Sequence, residues 1–167
     1  MKRFLPFLLL LSCASTQVLE PAEWTVSPSI KTAKAGDIID LRFSVTIDKN
    51  WYLYSNEFPC EDGPIKATVT FIPHGSYELV DGWVAVNPVS KRDEIFDCDV
   101  KIFKGKGEFI QRIRLLGSPV KISGNYEYQV CSDVDGKCIP FDEDFQITGI
   151  EVTGGTTITA DTLKVAK

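Results

Sequence analysis

The sequence predicts an all-β protein that folds as an antiparallel sandwich. Apolar and polar residues alternate in many short segments, most clearly over residues 39–47. Turn signals such as Gly36-Asp37 and Asp135-Gly136 recur about every eight to twelve residues. No window keeps a helical period over three turns. These observations together favour two packed antiparallel sheets.

Composition limits the classes of function. The 167 residues suffice for one domain with a sizeable core. A net charge of −5 and a pI of about 4.9 argue against nucleic acid as a partner, because that role needs a basic face. No cofactor is expected.

Residues 1–15 are predicted to be an export signal. Lys2 and Arg3 precede an apolar run that is too short to cross a membrane, and small residues follow it. Leu10-Leu11-Ser12-Cys13 also resembles a bacterial lipobox, in which the cysteine becomes the lipidated first residue. Ordinary cleavage near Ala14 or Ser15 is the alternative. A lipid on Cys13 would be the only expected contact with a membrane, and it would account for the odd count of five cysteines.

Residues 16–35 are expected to form a linker and a first strand near Trp24, and residues 36–152 the sandwich. The strand over 39–47 precedes an aromatic strand start, Trp51-Tyr52-Leu53-Tyr54. Residues 84–92 are expected to form a loop, and residues 153–167 an edge strand or a tail. The other short strands are predicted over 67–71, 77–83, 95–103, 109–115 and 120–122.

The stretch with most chemical content is the segment over residues 128–140. Cys131 and Cys138 flank a polar loop that contains the Asp135-Gly136 turn signal, and alternating residues on both sides predict a hairpin. If the loop folds back, the two sulfurs lie close enough to form a disulfide.

Three segments resemble the amino-terminal periplasmic domain of DsbD, the bacterial thiol:disulfide interchange protein. They are Asp48 to Tyr54, Lys91-Arg92-Asp93-Glu94-Ile95-Phe96, and the Tyr-Gln-x-Cys…Cys-x-Pro pattern of residues 128–140. They occur in the family's order within residues 36–150. The resemblance implies an immunoglobulin-like sandwich in the periplasm of a Gram-negative bacterium, either free or anchored by lipid.

The resemblance also implies residue roles. Cys131 and Cys138 would be a redox pair that relays electrons to or from thioredoxin-fold partners, with Cys138 exchanging and Cys131 resolving. Tyr52, Tyr54 and Tyr128 would form the wall of the site. The family covers its cysteines with a phenylalanine-bearing loop, whereas the equivalent region here offers only Pro88 and Val89 as a cap. The family's membrane and thioredoxin-like domains are absent from this sequence, so a separate chain would supply the electrons.

Several alternatives remain open from the residues alone. The pair could be an inert structural disulfide in a surface-binding or scaffold domain, as in many exported proteins. Asp133, Asp135 and Asp142 imitate part of a calcium loop, but no flanking helices are predicted. Zinc fits poorly, because the cysteine spacing is unusual and His74 is the single histidine, so no metal site is expected.

Cys60 and Cys98 form the other cysteine pair of the predicted mature chain. A structural bridge between two loops is the favoured interpretation, and free thiols or a second redox pair are the alternatives. Acidic neighbours of both cysteines disfavour a thiolate at either position.

Overall fold

The computed structural model of the protein describes residues 19–60, 63–94 and 96–157. The predicted export signal, including Cys13, lies outside the described residues. In the described part of the chain no helix is long and apolar enough to cross a membrane. The strands are β1 (Ala22–Pro28), β2 (Thr32–Lys34), β3 (Ile38–Ile47), β4 (Trp51–Tyr54), β5 (Thr68–Phe71), β6 (Tyr77–Ala85), β7 (Val89–Asp93), β8 (Cys98–Phe103), β9 (Lys106–Leu115), β10 (Gly117–Ser118), β11 (Ile122–Ser132), β12 (Cys138–Ile147), β13 (Glu151–Thr153) and β14 (Thr156–Thr157).

The first layer is a four-stranded antiparallel sheet in the order β1-β3-β9-β6. β3 lies inside this sheet, and its residues alternate between buried and solvent-facing as the sequence predicts. Leu41 and Phe43 are fully buried, whereas Arg42 between them pairs with Glu108 on the outer face. This alternation directs one face of the sheet to the core.

The second layer is a six-stranded sheet with the path β12-β11-β4-β8-β7. β11 is long enough to serve two strands on the edge away from β12: its end pairs with β4 and its beginning with β5. Two short parallel pairs, β2 with β13 and β10 with β14, lie outside both sheets.

Aromatic side chains join the two layers. The ring centroids of Phe43 and Phe145 are 5.1 Å apart, and those of Trp24 and Tyr126 are 4.9 Å apart. Each pair takes one ring from each sheet, so the main core lies between the sheets, as in an immunoglobulin-like sandwich. The predicted fold class is confirmed.

The loop expected over residues 84–92 is not present as such. β6 continues to Ala85, and β7 starts at Val89 and pairs with β8. β7 is an edge strand whose residues are mostly polar and partly exposed. Because its exposed side chains bury little apolar surface, it lacks the apolar alternation from which a strand is predicted.

Gly124 tests the packing of β11 against β5. A Cβ atom at this position would lie 2.1 Å from the Thr70 carbonyl oxygen and 2.8 Å from the Phe145 ring. We expect Gly124→Ala to lower the free energy of unfolding by about 1–3 kcal/mol, because backbone has to move. Gly82→Ala is the control, since its Cβ would meet nothing within 4 Å. Urea titrations in which both variants unfold alike would contradict this expectation.

Candidate functional site

The candidate site is built on the hairpin of β11 and β12. Cys131 lies directly opposite Cys138 in the register of the two strands. In the next pair the Ser132 N–H donates to the Lys137 carbonyl at 2.9 Å, so the cysteines occupy a non-hydrogen-bonded position. Such positions bring side chains closest, and the two cysteine Cα atoms are 4.1 Å apart. The two sulfurs form a disulfide.

A compact loop connects the two strands. The Ser132 hydroxyl accepts the N–H groups of Val134 and Asp135 at 3.1 and 3.3 Å. Gly136 has a φ of 70°, a left-handed conformation that glycine adopts without steric cost. Hydrogen bonds from the Ser132 hydroxyl and then the Lys137 N–H lower the pKa of the Asp135 carboxyl. The loop thereby holds the two strand ends in register.

Along the sheet, Cys131 lies between Cys138 and an aromatic residue. Tyr52 of β4 is its partner on the other side, and cross-strand partners point to the same face. Tyr54 follows two residues later and shares that face. These residues belong to a small cluster separate from the main core. Cys131 is 0% exposed, whereas Cys138 is partly exposed, so Cys138 is the sulfur that solvent reaches.

Tyr128 lies on the opposite face of β11, in contrast to the expectation that it lines the site. It is three residues from Cys131, and residues an odd number apart on a strand face opposite sides. Its side chain packs in the main core and its hydroxyl donates to Glu143. Burial, followed by this carboxylate, raises the pKa of Tyr128. The structure therefore brings together two of the three predicted wall residues, Tyr52 and Tyr54.

A hydrogen-bonded network extends from these two tyrosines to a buried carboxylate. The Tyr54 hydroxyl donates to Asp93 at 2.6 Å and lies 3.3 Å from the Tyr52 hydroxyl. The Lys91 ammonium donates to the Tyr52 hydroxyl at 3.4 Å and lies 4.4 Å from the centre of its ring. Burial, and then the bond to Asp93, raises the pKa of Tyr54, so this phenol stays a proton donor.

Asp93 was not predicted as a site residue. It is 1% exposed and comes from the Lys91–Phe96 segment that carries part of the family resemblance. The segment was a usable signal, but nothing in the sequence indicated that its carboxylate meets Tyr54. That contact depends on the pairing of β7 with β8, which the sequence did not reveal.

The remaining cysteines form the second disulfide, Cys60–Cys98, with Cα atoms 6.1 Å apart. Both pack against the cluster that contains Cys131. Phe58, two residues before Cys60, is a buried member of that cluster and was missed in the sequence. A phenylalanine in a loop with no periodicity carries no signal of what it covers.

Pro88 and Val89 lie where β7 begins. Pro88 is half-buried, and Val89 is 55% exposed and pairs with Ile102 of β8. Their role as a cap over the cysteines stays a prediction.

The three aspartates whose spacing resembles part of a calcium-binding loop each have a different partner. Asp133 pairs with the Lys104 ammonium at 2.6 Å, and Asp142 accepts a hydrogen bond from Asn125. Asp135 accepts the Lys137 N–H at 3.2 Å within the hairpin loop. In the described ranges, no three His, Cys, Asp or Glu side chains are grouped so as to hold a metal ion.

The Tyr54–Asp93 hydrogen bond can be tested by removing single hydroxyl groups. We expect Tyr54→Phe to lower the free energy of unfolding by about 1.5–3 kcal/mol, because a buried carboxylate loses a donor. Tyr52→Phe is the matched control and should cost about 0.5 kcal/mol, since its hydroxyl contacts are longer. Urea unfolding measures both values. A larger loss in Tyr52→Phe than in Tyr54→Phe would contradict the assignment.

Comparison with solved structures finds similar folds. The chain superposes on the N-terminal periplasmic domain of ScsB from Proteus mirabilis with a TM-score of 0.58 and 12% identity, covering 83% of this chain and 51% of that one. It therefore spans about half of that domain. A DsbD N-terminal domain from Neisseria meningitidis, solved in complex with the PilB N-terminal domain, gives a TM-score of 0.51 and 17% identity, with 81% and 91% covered.

The reduced form of the Neisseria meningitidis DsbD N-terminal domain gives a TM-score of 0.49 at 19% identity, with 76% of this chain and 86% of that one covered. No curated protein sequence matches the chain. Residues 16–149 match the family described as the N-terminal domain of the thiol:disulfide interchange protein DsbD. This match spans most of the sequence, and the chain belongs to the family of DsbD N-terminal domains.

Proposed function

We propose that this protein exchanges its Cys131–Cys138 disulfide with thioredoxin-fold partners and so relays electrons. One observation carries the proposal. The hairpin of a DsbD-family chain holds a disulfide with one sulfur partly exposed and the other buried. Disulfide exchange needs one sulfur that a thiolate can reach in line and a second close enough to leave and return.

The proposed step moves two electrons. A partner thiolate attacks the Cys138 sulfur, the Cys131–Cys138 bond breaks, and Cys131 leaves as a thiolate that takes up a proton. The second partner thiol then attacks the partner sulfur of the mixed disulfide and releases Cys138, which also takes up a proton. The hairpin gains two electrons and two protons, and the partner is oxidised to a disulfide. The reverse sequence passes the electrons on.

Tyr52 and Tyr54 would serve as a rigid wall beside the resolving sulfur. Both are almost fully buried, and their hydroxyl groups are engaged with one another and with Asp93. Tyrosine combines an apolar body with a polar tip, so the wall excludes water from Cys131 while its polar atoms stay satisfied.

The charges around Cys138 favour a reaction in which the partner supplies the attacking thiolate. Lys137 precedes Cys138, whereas Asp133 and Asp135 lie in the same loop and oppose a thiolate. Asp133 is paired with Lys104, which weakens its influence. With no concentration of positive charge at Cys138, we infer that the attacking thiolate comes from the partner.

We propose that the protein works in the periplasm, either free or anchored through a lipid on Cys13. The predicted signal supports export, and the ScsB neighbour is a periplasmic domain. Residues 16–35 would connect this start to the sandwich of residues 36–152. An oxidising compartment suits a chain with two disulfides.

The first test of location is the mass of the mature amino terminus. Lipidation predicts a first residue Cys13 that carries acyl chains, and Cys13→Ala should release the protein from the membrane fraction. Ordinary cleavage would give an unmodified terminus near Ala14. An uncleaved Met1 in the purified protein would exclude both.

The alternative is a surface-binding scaffold whose disulfides are inert. The complete burial of Cys131 is the observation that favours it, since buried structural bridges resist exchange. Trapping separates the two functions.

We expect a Cys131→Ser variant to form a mixed disulfide through Cys138 with a thioredoxin that keeps only its attacking cysteine, under mildly oxidising conditions. Cys138→Ser is the matched control. It keeps only the fully buried hairpin sulfur and should give about tenfold less adduct on a non-reducing gel.

Equal adduct in the two variants would contradict the assignment of Cys138 as the exchanging sulfur. If neither variant forms an adduct and the potential of the intact pair lies below about −300 mV, the pair is an inert structural bridge.

A further inference from the structure

Both disulfides lie on the outer face of the six-stranded sheet. On β8, Cys98 and Ile102 share one face, because their positions differ by four and alternate residues of a strand face the same side. Ile102 pairs with Tyr54, which shares the face of Tyr52 and therefore of Cys131. The two bonds are thus fixed to one surface by the register of β4, β8 and β11.

The hydrogen-bonded network joins the surroundings of the two bonds. Asp93 is the cross-strand partner of Cys98, and Tyr52 is the cross-strand partner of Cys131. Tyr54 contacts both Asp93 and Tyr52 through its hydroxyl. The network therefore starts beside one disulfide and ends beside the other.

This outer face is covered by a second layer. Tyr54 and Cys131 are 0% exposed, and Val100 and Ile102 are nearly so. Side chains on the outer face of a sheet reach such burial only when something packs on top of them. Among the described residues, Phe58 is the buried member of the cluster that comes from outside the strands, and its ring centroid lies 6.1 Å from that of Tyr54.

The segment that carries Phe58, residues 55–60, is attached on both sides of it. On the near side the Ser55 N–H donates to the Lys101 carbonyl at 2.8 Å. On the far side the disulfide joins Cys60 to Cys98. Between them Glu57 pairs with Lys101 at 3.3 Å, but both side chains are more than 40% exposed, and such pairs contribute little. Asn56 also donates from its amide to the Trp83 carbonyl at 2.6 Å, and the Lys66 ammonium lies 4.9 Å from the centre of the Phe58 ring. The Cys60–Cys98 bond is the covalent attachment next to Phe58.

We propose that Cys60–Cys98 is a positioning bond for the exchange site: it holds Phe58 over the outer-face cluster and so shields the Cys131 sulfur from small thiols and oxidants. The biological role of this shielding rests on the proposed exchange function. The shielding itself can be tested whether or not the protein exchanges disulfides. A partner would still reach the pair from the Cys138 side, which the segment leaves partly exposed. Phe58 is a positioning residue in the same sense, since it acts through what it covers.

The shield makes a specific prediction for access by small reagents. Without the bond, residues 55–60 keep the hydrogen bonds of Ser55 and Asn56 and the exposed Glu57–Lys101 pair, but the chain after Phe58 loses its covalent attachment. We expect the segment to open more often without unfolding of the sheets. The Cys131 thiol, isolated by Cys138→Ser, should then react faster with a small alkylating reagent such as iodoacetamide.

The experiment starts from Cys138→Ser in the full chain, where Cys131 is the remaining hairpin sulfur, and adds either Cys60→Ser/Cys98→Ser or Phe58→Ala to it. The initial rate at which iodoacetamide alkylates the Cys131 thiol is followed by mass spectrometry of the hairpin peptide. We expect both variants to react at least about tenfold faster, which corresponds to about 1.4 kcal/mol of shielding. Phe145→Ala is the control. It removes an aromatic side chain of similar burial, 7% against 8% exposed, from the main core and should change the rate less than about twofold.

A second readout separates shielding from lost stability. If the faster reaction goes through local opening, its rate stays constant in urea below the unfolding transition. If it goes through global unfolding, the rate rises with the unfolded fraction. Unchanged rates, acceleration in only one of the two variants, or a rate that follows global unfolding would overturn the proposal.

The outcome also stays distinct from that of the exchange function. If no thioredoxin is trapped but the variants react faster, the proposed exchange function is contradicted and the shielding by Phe58 is supported. If thioredoxin is trapped but the variants react no faster, the exchange function is supported and the shielding is contradicted.

Discussion

The pairing of β11 with its neighbours is the constraint on which the rest of the structure depends. One edge of β11 pairs with β12 and the other with β4 and β5. This register puts Cys131 between Cys138 and Tyr52 on one face, and Tyr128 and Val130 on the other. A shift by one residue would exchange the two faces, moving the sulfur into the core and the core residues outside.

Both faces of the six-stranded sheet are therefore buried near the hairpin. The inner face packs on the four-stranded sheet through large aromatic residues, and the outer face carries a smaller cluster with both disulfides. Antiparallel sheets often leave one face to solvent. Here the second cover buries Cys131, so that of the two bonded sulfurs it is Cys138 that remains partly exposed.

Elements with a strong local sequence pattern could be predicted, and elements without one could not. The strand at 38–47 and the cysteine hairpin were predictable, because strict alternation and an Asp-Gly turn have direct structural causes. The sequence predicts a loop where β7 lies, since a strand of mostly exposed, polar side chains shows no apolar alternation. Tyr128 lies in the main core and not in the wall of the site, because the odd number of positions between it and Cys131 puts the two side chains on opposite faces of β11.

The sequence by itself determined the all-β class, the alternation that builds the main core, and the two cysteines that a short hairpin must bring together. Only the tertiary structure decided which sulfur is buried, that Asp93 receives the Tyr54 hydroxyl, and that Phe58 packs over the outer face. The physical reason is that the first set depends on neighbours along the chain, whereas the second depends on strands and loops that meet across long sequence separations.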